Sequence, residues 1–202
     1  MVYLYIIKID VHFTCRCVPI LSFKGVLRMD QKTLDHLQAA FSGESQARNK
    51  YTYFASQARK EGYFTLTAVF DETANNEKEH AKLLFTMLDG LGNSEANLTV
   101  AINGETYEYS QMYPTFAKEA QEAGDMKAAK LFATIATVEV QHAKRYTELQ
   151  EVLRQDGFLK KEESISWVCS ECGYVHEDSE PPKLCPLCKH PREYYKRLVE
   201  IY

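Results

Sequence analysis

The chain lacks a long uncharged apolar run: residues 3–7 are apolar, but Lys8 and Asp10 interrupt the stretch well short of a membrane span. It lacks excess positive charge, with a formal net charge of -4, which gives no basis for binding nucleic acid or an anionic membrane surface. A basic start followed by a small-residue cleavage site is also missing, so no secretory signal is expected. Histidine is scarce, with six in 202 residues. These absences leave small-molecule chemistry as the expectation.

Against that scarcity, two histidines stand at helical ligand spacing, in Glu77-x-x-His80 and Glu139-x-x-His142. Residues three apart on an α-helix project from one side, so each repeat presents a carboxylate and an imidazole to one point. Glu44 falls within the apolar stripe of an earlier helical pattern, and Glu105 and Glu108 are again three apart. A carboxylate on a face meant for burial needs a partner. For Glu44 that partner is a metal or Arg48, four residues on. Taken together, five carboxylates and two imidazoles would repel one another and suffer desolvation unless cations joined them. An oxygen-rich set with imidazole suits iron or manganese, and ferritin-like bundles build dinuclear centres from such helices.

Of six cysteines, Cys15 and Cys17 read as incidental thiols, whereas Cys169, Cys172, Cys185 and Cys188 form C-x2-C-x12-C-x2-C. That spacing is typical of a tetrathiolate metal site, and persistent thiolates point to a reducing, cytoplasmic compartment. Spacing does not separate iron from zinc.

The periodicity predicts four helices, over residues 30–60, 63–88, 97–123 and 125–153, the third disturbed by Gly104 and Pro114. Residues 89–98 read as a connection. The expected fold is mainly α: a ferritin-like four-helix bundle over residues 29–158, a charged linker over 159–165 and a small metal-binding domain over 166–202. Residues 1–28 form an extension of uncertain role, and Met29 is a candidate start. Tyr51, two turns beyond Glu44, either donates a hydrogen bond near the cluster or packs in the core.

Residues 41–49, 77–82, 104–109, 112–114, 139–142 and 167–191 resemble rubrerythrin in order and spacing, across about residues 30–202. The resemblance implies a non-haem di-iron centre in the helical domain and one Fe(Cys)4 iron in a rubredoxin-like domain. It implies that Glu77 and Glu139 bridge the irons, with Glu44 a terminal ligand at one and Glu105 and His142 at the other. Glu108 and His80 are then the pair that exchanges with oxidation state, and Tyr51 and Tyr113 the tyrosines that hydrogen-bond around the cluster. The implied activity is hydrogen peroxide reduction by a homodimer. Electrons would come from rubredoxin or an NAD(P)H-linked reductase. Iron oxidation for storage or detoxification is the alternative, and a zinc-stabilised docking module a third reading.

Overall fold

The computed structural model describes residues 29–199. The extension over residues 1–28, with Cys15 and Cys17, lies outside them. Two compact units divide the chain at Leu84.

The first unit is a helical hairpin. Helix α1 (Gln31–Lys60) starts at Asp30, whose carboxylate accepts the Thr33 N–H at 3.0 Å. It ends on Arg59 and Lys60, cations suited to a helix C-terminus. Gly62, at φ +85°, turns the chain into α2 (Phe64–Met87). The buried side chains of this hairpin are small: Ala55, Ala58, Thr67, Ala74 and Ala81. The Thr67 hydroxyl lies 3.1 Å from the Tyr63 carbonyl and 3.4 Å from that of Ala55, and Arg59 pairs with Asp71 at 3.0 Å. These contacts fix the hairpin near its turn.

In the second unit, α3 (Ser94–Tyr107) starts earlier than the periodicity suggests. Asn93 caps it by accepting the Ala96 N–H at 2.9 Å, and Asn97 bonds back to Gly92 through both amide atoms, so residues 94–98 are helical. Gly104 sits inside α3 without breaking it. The disturbance foreseen around Pro114 is a π-helical turn, Glu108–Met112, in which the Tyr113 N–H reaches back to the Glu108 carbonyl. Pro114 follows in the first turn of α4 (Tyr113–Glu122), where its missing N–H costs little. After Gly124 at φ +81°, Asp125 caps α5 (Met126–Arg154), which packs against α3 and α4. The buried Gln150 amide at the α3 contact donates to the Thr99 hydroxyl at 2.7 Å, and Arg154 pairs with Glu95 at 2.7 Å.

The same unit ends in a three-stranded antiparallel sheet of order β2-β1-β3, from β1 (Ile165–Cys169), β2 (Val175–Asp178) and β3 (Tyr195–Arg197). Its core is Trp167, Cys169, Cys185 and Tyr195. The Trp167 indole N–H is satisfied by the Asp178 carbonyl at 2.9 Å. Mainly α architecture with a small β module is therefore the fold. Among the described residues, no helix is long and apolar enough to cross a membrane.

Candidate metal centres

In the first unit α1 contributes Glu44 and α2 contributes Glu77 and His80, with one ligand atom of each within 4.8 Å of the others. His80 Nδ1 lies 2.9 Å from Glu77 Oε2, the i,i+3 neighbours meeting as helix geometry requires. Arg48 donates to Asn49 Oδ1 at 3.2 Å. A hydrogen bond with Glu77 is the first cause of a raised Glu44 pKa; burial and the Glu77 charge add to it, while His80 opposes. A cation beside the two carboxyls would oppose that rise.

The second unit repeats the arrangement. Glu105 from α3 and Glu139 and His142 from α5 place ligand atoms within 4.8 Å of one another. His142 Nδ1 is 2.6 Å from Glu139 Oε2 and 3.6 Å from Glu105 Oε2. Burial first, then a hydrogen bond with Glu139, raises the pKa of Glu105. Glu108 opens the π turn outside this tight trio, yet burial and the Glu139 charge raise its carboxyl too. Tyr113 is raised by burial and by the charges of Glu108, Glu139 and Glu105. Glu108 and Tyr113 are thus both harder to ionise beside the second cluster.

Each unit carries an aromatic trio on the helices that supply its cluster. Tyr51 stacks on Phe70 at 6.2 Å and 28°, with Phe54 edge-on to Phe70 at 5.6 Å. Tyr113 stacks on Phe132 at 6.2 Å and 29°, with Phe116 edge-on to Phe132 at 5.7 Å. Phe70 precedes Glu77 by seven residues and Phe132 precedes Glu139 by seven, so the two hairpins are variants of one motif. Tyr51 is seven residues after Glu44, whereas Tyr113 is eight after Glu105. The additional residue is accommodated by the π turn. Sequence reasoning named the tyrosines but missed the phenylalanines that stack on them; the matched intervals were the available signal.

The four cysteines converge from two knuckles, with Sγ–Sγ distances of 3.6 Å for Cys169–Cys188 and for Cys172–Cys185. A disulfide needs about 2.05 Å, and all four thiols are free. A tetrahedral ion with metal–sulfur bonds of about 2.3 Å has sulfur edges near 3.8 Å, so the set fits a tetrathiolate metal. Burial pushes Cys185 up, but the N–H groups of Cys188 and Leu187 and the Tyr195 hydroxyl outweigh it and lower the thiol to about 6. The His190 N–H pulls Cys188 down, but burial and the other thiols outweigh that and raise it to about 12.

A sequence model of the rubrerythrin family matches residues 35–150, and one of the rubredoxin-like domain of rubrerythrin matches residues 167–196. The chain belongs to the rubrerythrin family. It is 42% identical to rubrerythrin of Porphyromonas gingivalis over 184 residues, covering 85% of this chain and 92% of that one. Rubrerythrin of Nitratidesulfovibrio vulgaris is 39% identical, with 83% and 94% covered. Rubrerythrin-1 of Clostridium acetobutylicum is 40% identical, with 85% and 96% covered. This membership and the two Glu/His clusters with a four-cysteine cluster give a rubrerythrin-type architecture, consistent with a non-haem di-iron centre, a tetrathiolate iron site and an enzymatic role.

Proposed function

We propose that this protein reduces hydrogen peroxide to two waters, consuming two electrons and two protons. The observation that carries the reading is the presence in one chain of two oxygen-rich Glu/His clusters and one soft tetrathiolate cluster. Bound iron would supply the redox chemistry, two electrons from a di-iron centre and one from a tetrathiolate iron. Glu44, Glu77 and His80 would hold iron in one cluster, and Glu105, Glu139 and His142 would hold iron in the other. Glu108 is a further ligand, held protonated more readily than an ordinary carboxylate while no cation is beside it. Tyr51 and Tyr113, held by their stacked phenylalanines, would donate hydrogen bonds to the metal ligands. Rubredoxin or an NAD(P)H-linked reductase would deliver electrons to the cysteine site of a cytoplasmic homodimer.

The test is anaerobic stopped-flow. Fully reduced, iron-loaded protein is mixed with peroxide while the visible thiolate-to-iron charge-transfer band is followed. The wild type is expected to recover the band rapidly. Glu77→Gln is expected to slow recovery by at least about a hundredfold, the lower range for loss of a central catalytic group. Equal recovery in the variant would reject the di-iron role, and mineral cores in a large assembly would move the reading to iron storage.

A further inference from the structure

The cations of the small β module and its linker fall into two groups. One group is neutralised: Arg192 pairs with Asp156 at 3.0 Å and with Glu180 at 3.6 Å, and Lys160 pairs with Glu180 at 3.3 Å. Lys161, Lys196 and Arg197 have no carboxylate partner among the described residues, and the Lys161 ammonium donates to the Gly157 carbonyl at 2.6 Å. All three line one cleft of about 340 Å³ between β3 and the chain just beyond α5. Phe158, 47% exposed, and Tyr195 supply its apolar side, and Glu193 is its one carboxylate. Three cations against one anion reverse the sign of a chain whose formal net charge is -4. The wall that carries them is also close to the four cysteines. On β3, Tyr195 stands opposite Cys169 and Lys196 opposite Val168, and Tyr195 and Cys169 share one buried core. A single strand therefore separates the cleft from a metal-ligand cysteine.

We propose that this cleft is the electron inlet: a small acidic one-electron carrier protein docks carboxylates on Lys161, Lys196 and Arg197, with Phe158 at the centre of the contact. An apolar centre with a charged rim is the anatomy of a docking surface. The net negative charge of the chain repels an acidic partner elsewhere, so the cleft fixes where that partner lands and how it is oriented. The carrier loses one electron and a ferric tetrathiolate iron gains it, with no bond or proton moved. That transfer rests on the proposed function, which puts iron in the four cysteines; the docking does not.

The probe is a ferrous b-type cytochrome of net negative charge, whose haem bands report its oxidation as it reduces the full, ferric iron-loaded chain under anaerobic stopped-flow. Hexaammineruthenium(II), a cationic one-electron reductant, is the reference, and the ratio of the two rates removes any change in the iron itself. Lys196→Glu with Arg197→Glu is expected to lower that ratio at least about tenfold at low salt, the lower range for electrostatic steering, and the loss is expected to shrink as salt is added. Lys127→Glu with Lys130→Glu, exposed on α5 and equal in charge change, is expected to lower it less than about twofold. A fall below twofold for the cleft pair, or equal falls for the two pairs, would overturn the docking and leave Glu77-dependent peroxide reduction standing. Zinc-loaded protein gives a readout without electron transfer: adding the ferric cytochrome is expected to shift the amide NMR signals of residues 158–161 and 195–197, and shifts confined elsewhere would overturn the docking. If the cysteines take zinc alone, the proposed function fails while those shifts still decide the docking.

Discussion

Lys189 stands at φ +63° just after Cys188, the place that Gly173 fills at φ +76° just after Cys172. Both N–H groups close the same turn, Gly173 to the Cys169 carbonyl at 2.9 Å and Lys189 to the Cys185 carbonyl at 3.0 Å. A side chain in this left-handed region costs roughly 1–2 kcal/mol that glycine avoids. Lys189 recovers part of that through its Nζ, which donates to the Pro186 carbonyl at 2.9 Å. A Cβ on Gly173 would meet open space, so strain alone governs its replacement. Gly173→Ala is expected to destabilise the metal-loaded sheet by about 1–2 kcal/mol. Lys189→Gly is expected to be neutral or stabilising by up to about 1 kcal/mol, because relief of the strained backbone outweighs the lost Nζ contact and the added chain entropy of glycine. Denaturant unfolding followed at the charge-transfer band separates the two; equal losses in both variants would show that space, not backbone strain, governs the knuckles.

At the scale of elements, the sheet and the helices rest on different supports. The sheet has strands of five, four and three residues and a core of four buried side chains, two of them cysteines. Such a module depends on its metal for folding energy. Helices α3 and α5 are instead joined by the Gln150–Thr99 bond and the Arg154–Glu95 pair. Stripping metal from the reduced protein with a chelator is expected to lower amide-exchange protection over β1 to β3 by more than about tenfold while α5 keeps its own. Uniform loss along both would refute separate support. These supports were unequally legible in the sequence. Cysteine spacing announced the knuckles, and the i,i+3 interval announced that Glu77 meets His80 and Glu139 meets His142. Periodicity reports which face a residue occupies, not which helices meet, so the separation of ligands into one trio per unit was not readable. Nor was the π turn, because one added residue shows only when the Glu44–Tyr51 and Glu105–Tyr113 intervals are set side by side. Asn93 reads as part of a loop in the sequence because a capping side chain and a turn side chain are the same residue type.

At the scale of the whole molecule, large apolar side chains remain exposed on several helices, among them Phe64, Leu66 and Val69 on α2 and Leu131 and Val138 on α5. The proposed homodimer would use such surface for association. In the proposed dimer, electrons would pass from the cysteine site of one protomer to the Glu/His clusters of the other. Two disabled proteins test this: Cys172→Ser removes a thiolate ligand, and Glu77→Gln removes a carboxylate of the first cluster. Each alone is expected to fail in rapid peroxide-driven turnover. Mixed, dissociated and reassembled, they are expected to recover part of the wild-type rate, because a mixed dimer pairs an intact cysteine site on one chain with intact clusters on the other. Light scattering must show twice the 23.2 kDa chain mass for the reassembled species. A mixture as inactive as its components, at that mass, would confine electron flow to a single chain.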